Sequence, residues 1–157
     1  AEMSKAPPVG RLAKETVESV LKGEIDAGTG AVRRGENMLN IELLEPVLFH
    51  NSASATIKPE GLKVLKRIAG TLNDRAIKEI RVESHTDVVI QTNRFPSGED
   101  LAVARALSVL RYLKTLDTGN RARLSAVGYA DPQSAVANEG SQARSRNRRV
   151  EIVVRYR

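Results

Sequence analysis

The spacing of apolar residues in this chain alternates between the period of a strand and the period of a helix. Leu39, Ile41 and Leu43 alternate with polar residues, as do Ile80 and Val82, and both patterns predict strands. A segment with apolar residues three or four positions apart follows each of them and predicts a helix. Strands that alternate with helices bury their apolar faces by packing the helices on a sheet.

The predicted elements follow the order (α)ββαβαβ(α)β, in which the second helix in parentheses is at most one turn within residues 132–146. We therefore expect an α/β (α+β) fold, a two-layer sandwich with helices packed on a mixed sheet. Strands are predicted at about 31–34, 38–49, 76–87, 123–131 and 147–157, and helices at about 11–23, 60–74 and 100–116. Gly23 is expected to end the first helix, and the loop 88–98 leads into the third.

Arg105 is a charged residue on the apolar face of the predicted helix 100–116. Leu101 and Val109 lie one turn before and one turn after it on the same face. A guanidinium keeps its proton, so its burial without a partner is costly. Asp87 ends the strand that leads into this helix, and ligand sites of open α/β sheets collect at such strand ends. Asp87 is therefore the predicted partner of Arg105.

Two interpretations of this pair stay open from the residues alone. An Asp87–Arg105 salt bridge could simply tie the loop to the helix. Alternatively, the two residues could clamp a zwitterion, with Arg105 holding a carboxylate through two hydrogen bonds and Asp87 holding an ammonium group.

Charge and composition narrow the class of ligand. The net charge is +6 and aromatic residues make up only 3% of the chain. A basic surface favours a polyanion, which could be nucleic acid, anionic lipid or an acidic cell-wall polymer. The chain has no cysteine, which excludes disulfides and thiolate metal sites.

A set of short motifs resembles the OmpA/MotB C-terminal-like domain, and most closely its flagellar stator (MotB-type) branch. The segment "VLFHNSASATIKPEG" resembles the entry of that domain, and the resemblance extends over about residues 39–157. The other motifs are "HTD" at 85–87, "FPS" at 95–97, the "RA" and "SV" pattern of 101–113, "RLSAVGYAD" at 123–131 and "NRRVEI" at 147–152. The resemblance implies a four-stranded OmpA-like βαβαβ(α)β core in residues 31–157, after a tail and linker helix in residues 1–30.

The same resemblance implies a non-catalytic domain that binds peptidoglycan through the diaminopimelate of the stem peptide. Asp87 and Arg105 match the two clamp residues of the family, and Thr86 lies beside them in the "HTD" motif. The "NRR" motif is expected near the same pocket. The implied binding residues are Thr86, Asp87, Arg105, Asn147, Arg148 and Arg149.

The chain departs from the family pattern on both sides of the clamp. Ser84 replaces the usual glycine before "HTD", and "SGEDLA" replaces the usual "SNWELS" before the arginine. The helix start is therefore expected to be capped differently, by Asp100.

The stator branch implies a setting in the cell. Its members carry a membrane helix before this domain, work as dimers and bind a membrane-embedded stator partner. We therefore expect a periplasmic module that anchors a membrane motor to the cell wall, with an inner-membrane helix that the present sequence does not include.

Features of the sequence also suggest other functions. His85 with Asp87 could suggest hydrolysis, and His50 with both could suggest a metal site, but neither spacing matches a known catalytic or metal motif. The arginine-rich segment 143–157 could bind nucleic acid or another polyanion, yet aromatic residues for base stacking are scarce. An OmpA-like assembly module without peptidoglycan binding is the remaining alternative. We expect no enzyme activity, no metal or other cofactor and no nucleic-acid partner.

Overall fold

Helices and strands succeed one another along the part of the chain that the computed structural model describes, residues 9–87, 94–116, 118, 122–130 and 147–157. The helices there are α1 (Val9–Val20), α2 (Lys22–Asp26), α3 (Glu45–Leu48), α4 (Pro59–Ala69) and α5 (Gly98–Thr115). The strands there are β1 (Gly30–Gly35), β2 (Met38–Leu44), β3 (Ile77–His85), β4 (Arg123–Tyr129) and β5 (Arg149–Tyr156). None of these helices is both long and apolar enough to cross a membrane.

The five strands form one mixed sheet in the order β1-β2-β5-β3-β4. β5 lies at the centre, antiparallel to both β2 and β3, while β3 and β4 run parallel. Parallel neighbours need a crossover connection, and α5 lies in the connection between them. The predicted mixed α/β architecture is confirmed. The sheet has one strand more than the four implied by the resemblance, because β1 adds to the edge of β2 as an antiparallel hairpin.

The two faces of the sheet differ in chemistry. One face is apolar and packs against the helices, which makes the two-layer arrangement. Its side chains from the three central strands include Leu39, Ile41, Leu43, Ile80, Val82, Val150, Ile152 and Val154. The other face, here called the open face, carries charged side chains at the alternate positions, including Arg33, Glu42, Arg81, Glu83, His85, Arg149 and Glu151. This alternation follows the two-residue period of a strand.

α1 belongs to the same core as the sheet. Val17 and Leu21 are fully buried there, and α1 contacts β1, β2 and α4. Gly23 does not end the helical region as expected, because it lies inside the next short helix, α2. The turn comes at Gly28, whose φ of 78° suits a residue without a side chain.

The end of β2 differs from the sequence prediction and places a charged side chain. The predicted strand 38–49 stops at Leu44, and Glu45 and Pro46 begin the short helix α3. Proline has no N–H group to continue a strand ladder but is favoured in the first turn of a helix. Glu45 therefore lies at the end of the sheet next to the helix layer.

The start of α5 also differs from the prediction. Ser97, not Asp100, is the N-cap residue, because its hydroxyl accepts a hydrogen bond from the Asp100 N–H at 3.2 Å. The same hydroxyl donates to the Asp100 carboxylate at 2.8 Å. This reciprocal cap stabilises the start of the helix that carries Arg105.

Two predicted segments fall partly or wholly outside the described residues. They are most of the loop before α5, at 88–93, and the segment 131–146, which includes the predicted helical turn.

Candidate functional site

Arg105 is buried in the helix layer, as its position on the apolar face predicts. Its residue exposure is 1%, and Leu101 and Val109 on either side of it are fully buried. The carbon of its guanidinium lies 4.4 Å from the centre of the Phe49 ring. A cation over an aromatic face is attracted by the electron density of the ring. The Phe49 ring therefore stabilises the positive charge of Arg105 among its otherwise aliphatic neighbours.

The guanidinium of Arg105 is held by three hydrogen bonds. Its Nε donates to the Ser54 carbonyl at 2.7 Å, and its NH2 group donates to the Asn51 carbonyl at 2.9 Å. Its NH1 group donates to the Glu45 carboxylate at 2.6 Å. Burial lowers the pKa of Arg105, while the hydrogen bond and charge of Glu45 act in the opposite direction. The arginine stays protonated, because its pKa starts so far above neutral pH.

Glu45 is the functional residue that sequence reasoning missed. Its side chain is 10% exposed and forms the ion pair with Arg105. The signal was present, because Glu45 continues the inward-facing series of Leu39, Ile41 and Leu43 at every second residue. An acid at an inward-facing position is a natural partner for an inward-facing arginine.

Asp87 pairs with Arg148. Asp87 is 2% exposed, and the NH2 group of Arg148 donates to its two carboxylate oxygens at 3.0 and 3.3 Å. The Arg148 side chain is 18% exposed, so this pair lies closer to solvent than the Arg105–Glu45 pair. The predicted Asp87–Arg105 salt bridge is therefore corrected. Each of the two residues has a different partner, since the early end of β2 brings Glu45 to Arg105.

Ser52 connects the two ion pairs. Its hydroxyl accepts a hydrogen bond from the NH1 group of Arg148 at 2.9 Å and donates to the Glu45 carboxylate at 3.3 Å. The result is a continuous chain of polar contacts, Asp87–Arg148–Ser52–Glu45–Arg105, which we call the clamp network. Its two ends are the residues that the sequence singled out. The backbone also closes it, as the Glu45 N–H donates to the Arg148 carbonyl at 2.8 Å.

The remaining predicted site residues separate into two groups. Thr86 and Asn147 are fully buried and adjoin Asp87 and Arg148 in sequence. The Thr86 hydroxyl has no hydrogen-bond partner among the described residues. Arg149 instead lies on the open face, where its Nε donates to Glu151 at 2.7 Å. The structure thus brings Arg148, but not Arg149, to Asp87.

His85 does not join Asp87 or His50 in a shared cluster among the described residues. Its imidazole lies on the open face and stacks on the Tyr129 ring, with ring centres 4.8 Å apart. Asp87 is engaged by Arg148 instead.

The chain belongs to the OmpA family. The model of that family matches residues 49–148, which include every member of the clamp network except Glu45. The fold described above, with helices on one face of a mixed sheet, is the fold of a solved relative. That relative is the cell wall anchor of the T6SS from Pseudomonas aeruginosa, with a TM-score of 0.75 and 31% identity over 92% of this chain and 99% of that one.

Two curated relatives from Bacillus subtilis (strain 168) also match. The protein YtxE is 36% identical over 124 residues, which are 78% of this chain and 50% of YtxE. Motility protein B is 31% identical over 108 residues, which are 68% of this chain and 41% of that protein. The chain thus spans about half the length, or less, of these relatives.

Proposed function

We propose that this domain is a non-catalytic peptidoglycan-binding module that holds the diaminopimelate of a stem peptide in the clamp network. The observation that carries the proposal is the continuous contact from Asp87 through Arg148, Ser52 and Glu45 to Arg105. Membership of the OmpA family and similarity to a structure described as a cell wall anchor support the same class of ligand.

The Asp87–Arg148 pair suits a zwitterionic ligand. In the free domain these two charges are each other's partner, with 3.0 Å between the Arg148 NH2 group and the closer Asp87 oxygen. An amino-acid head group carries one ammonium and one carboxylate. The ammonium can replace Arg148 beside Asp87 while the carboxylate binds the released guanidinium. Every charge then stays paired, which avoids the large cost of a buried charge without a partner.

Arg105 and Thr86 complete the proposed binding groups. The three hydrogen bonds of Arg105 use three of the five N–H groups of a guanidinium, and the proposal assigns the other two to a ligand carboxylate. The buried Thr86 hydroxyl lacks a partner among the described residues, and a polar ligand atom would satisfy it. Asn147 adjoins Arg148 in sequence, and we assign it to the same proposed binding site. Arg149 is left out, because its guanidinium binds Glu151 on the open face.

The proposed setting is the periplasm of a bacterial cell. Similarity to Motility protein B supports a role in motility. Within the same proposal, the full-length protein is tethered to the inner membrane and anchors a flagellar stator to the wall. A homodimer and a membrane-embedded stator partner belong to the same proposal. Purification of the full-length protein with its membrane partner would test this setting separately from wall binding.

Sedimentation with purified sacculi tests the ligand. We expect the wild-type domain to sediment with diaminopimelate-type sacculi at both low and high salt, and Asp87→Asn, Arg148→Ala and Arg105→Ala to lose this retention. Arg34→Ala removes one exposed positive charge away from the network and is the matched control, which should bind like the wild type. Sacculi with lysine in place of diaminopimelate lack one carboxylate and should retain the domain less.

Circular dichroism first establishes that each variant is folded. Retention that disappears with salt and is equal in all variants would contradict the proposal, because it would indicate general attraction between a basic protein and a polyanion. Equal retention on both kinds of sacculi would contradict the assignment of diaminopimelate.

A further inference from the structure

Three potential metal ligands meet on the open face of the sheet. Glu83 and His85 are two residues apart on β3, so their side chains lie on the same face. Glu151 on β5 is the direct cross-strand partner of Glu83. The nearest ligand atoms of the three side chains all lie within 4.8 Å of one another. This face is opposite the helices and separate from the clamp network.

The distances in this cluster fit a shared cation better than direct hydrogen bonds. His85 Nε2 lies 3.6 Å from Glu83 Oε1 and 3.5 Å from Glu151 Oε2. A Zn²⁺ ion binds histidine nitrogen and carboxylate oxygen at about 2.1 Å, so two of its tetrahedral ligands lie about 3.4 Å apart. A hydrogen bond between nitrogen and oxygen is shorter, typically about 2.9 Å.

The nitrogen of His85 that points to the two carboxylates is buried and lacks a hydrogen-bond partner in the part of the chain that the structure describes. The imidazole ring is held in this direction by its stack on Tyr129, whose plane is inclined by 17° to it. Glu83 and Glu151 are like charges directly opposite each other on neighbouring strands, a pairing that nearby cations stabilise. Arg149 and Arg81 already contribute positive charge to it. A metal ion would satisfy the nitrogen and both carboxylates together.

The carboxylates are positioned by neighbouring groups. Asn40 donates to Glu151 Oε1 at 2.6 Å, and Arg149 donates to Glu151 Oε2 at 2.7 Å. Arg81 lies 3.7 Å from Glu83 Oε2, the oxygen that does not face His85. Carboxylate ligands of metals are commonly hydrogen-bonded in this way, and each oxygen has a second lone pair for the ion.

We propose that Glu83, His85 and Glu151 form a Zn²⁺ site that links β3 to β5, with a fourth position open to water. The imidazole nitrogen favours zinc over the hard cations Mg²⁺ and Ca²⁺, which prefer oxygen ligands. The sequence suggested only His50, His85 and Asp87 as metal ligands, and their spacing matched no known motif. Glu83 and Glu151 were not among them, because they come from two strands that are distant in the chain and form no local spacing motif.

Isothermal titration with Zn²⁺ tests this site in the tag-free, EDTA-treated domain. We expect one ion per chain, and at least about tenfold weaker binding in His85→Gln, Glu83→Gln and Glu151→Gln. His50→Gln removes the other histidine, and Glu79→Gln removes another glutamate of β3, so both are matched controls and should bind like the wild type. Mg²⁺ should not compete with Zn²⁺ at equal concentration.

The thermal unfolding of each variant in EDTA shows whether it is folded, and the three conservative Gln replacements provide independent tests. Absence of Zn²⁺ binding by the wild-type domain would overturn the proposal. Binding that His85→Gln retains, or that His50→Gln removes equally, would also overturn it.

Discussion

Arg105 keeps its charge inside the core because protein groups replace the water that it loses. The Glu45 carboxylate, two backbone carbonyls and the Phe49 ring surround the guanidinium. The two carbonyls belong to Asn51 and Ser54 in the loop before α4, so the arginine also holds that loop. Arg105 thus holds the loop that contains Ser52, and Ser52 in turn binds Arg148.

Removal of Glu45 alone should destabilise the domain strongly. Glu45→Ala leaves Arg105 buried without its counter-charge, and we expect a loss of about 3 to 5 kcal/mol in the free energy of unfolding. Urea denaturation measures it. Glu36→Ala, an exposed acid in the β1–β2 turn, should change stability by less than about 0.5 kcal/mol.

A double variant separates the charge effect from the loss of packing. Glu45→Leu combined with Arg105→Met removes both charges, so it should lose much less stability than Glu45→Ala. An equal or greater loss would mean that the ion pair itself, with its hydrogen bonds, stabilises the core.

Tyr156 makes stability depend on alkaline pH. Burial, with a smaller contribution from the charge of Asp74, raises the pKa of Tyr156 to about 12. The unfolded value is about 10, so the folded state resists ionisation, and this stability is complete below about pH 10 and lost as pH rises towards 12. By about pH 11 the free energy of unfolding of the wild type should have fallen by about 1.4 kcal/mol more than that of Tyr156→Phe. Urea denaturation across this range tests it, with Tyr112→Phe as the control that keeps the dependence.

At the scale of elements, the position of α5 depends on a close contact with β4. A Cβ atom on Gly128 would lie 2.7 Å from the Ala102 carbonyl carbon and closer still to the Val103 backbone nitrogen. Only glycine allows the helix backbone to approach the strand this closely. Because α5 carries Arg105, this contact also sets the depth of the arginine in the site.

Gly128→Ala should therefore move α5 away from the sheet. We expect a loss of about 1 to 3 kcal/mol in the free energy of unfolding and weaker retention on sacculi in a folded variant. Gly23→Ala is the matched control, since no atom lies within 4 Å of its added Cβ. The contact would be shown to be unimportant if both variants had the same stability and the same retention.

At the scale of the whole molecule, the N-terminal helix is part of the core. Val17 of α1 and Leu21, the residue that follows α1, are fully buried, and α1 contacts β1, β2 and α4. Arg67 of α4 donates to the Val20 carbonyl at 2.6 Å, which adds a polar contact between the two helices. Residues 9–29 should therefore unfold together with the rest of the described domain.

Leu21→Ala should lower the free energy of unfolding by about 2 to 5 kcal/mol, because it leaves a cavity in a closely packed core. Val103→Ala is the matched control, since Val103 is 46% exposed on α5 and its truncation should change little. Circular dichroism with urea should show one transition for each protein. A separate early transition, or equal stability of the two variants, would indicate that α1 is an independent appendage.

The sequence by itself determined the longer helices, the strands and the chemistry of their faces, but not the end of β2 or the short helices α2 and α3. The two-residue period of Leu39, Ile41 and Leu43 and the helical spacing around Arg105 are local signals, since both depend on residues within one element. For the same reason the burial of Arg105 was predicted correctly. The family motifs added the expected ligand, which stays a proposal.

The tertiary structure alone decided which charged groups meet. Arg105 binds Glu45 and Arg148 binds Asp87, although the paired residues lie 60 and 61 positions apart in the sequence. Such pairs depend on strand order and on where β2 ends. They also depend on competition among many charged groups, and a local sequence pattern cannot predict which of these groups will pair. The cluster of Glu83, His85 and Glu151 could not be predicted from the sequence for the same reason. Its residues meet only because β5 lies between β2 and β3 in the sheet.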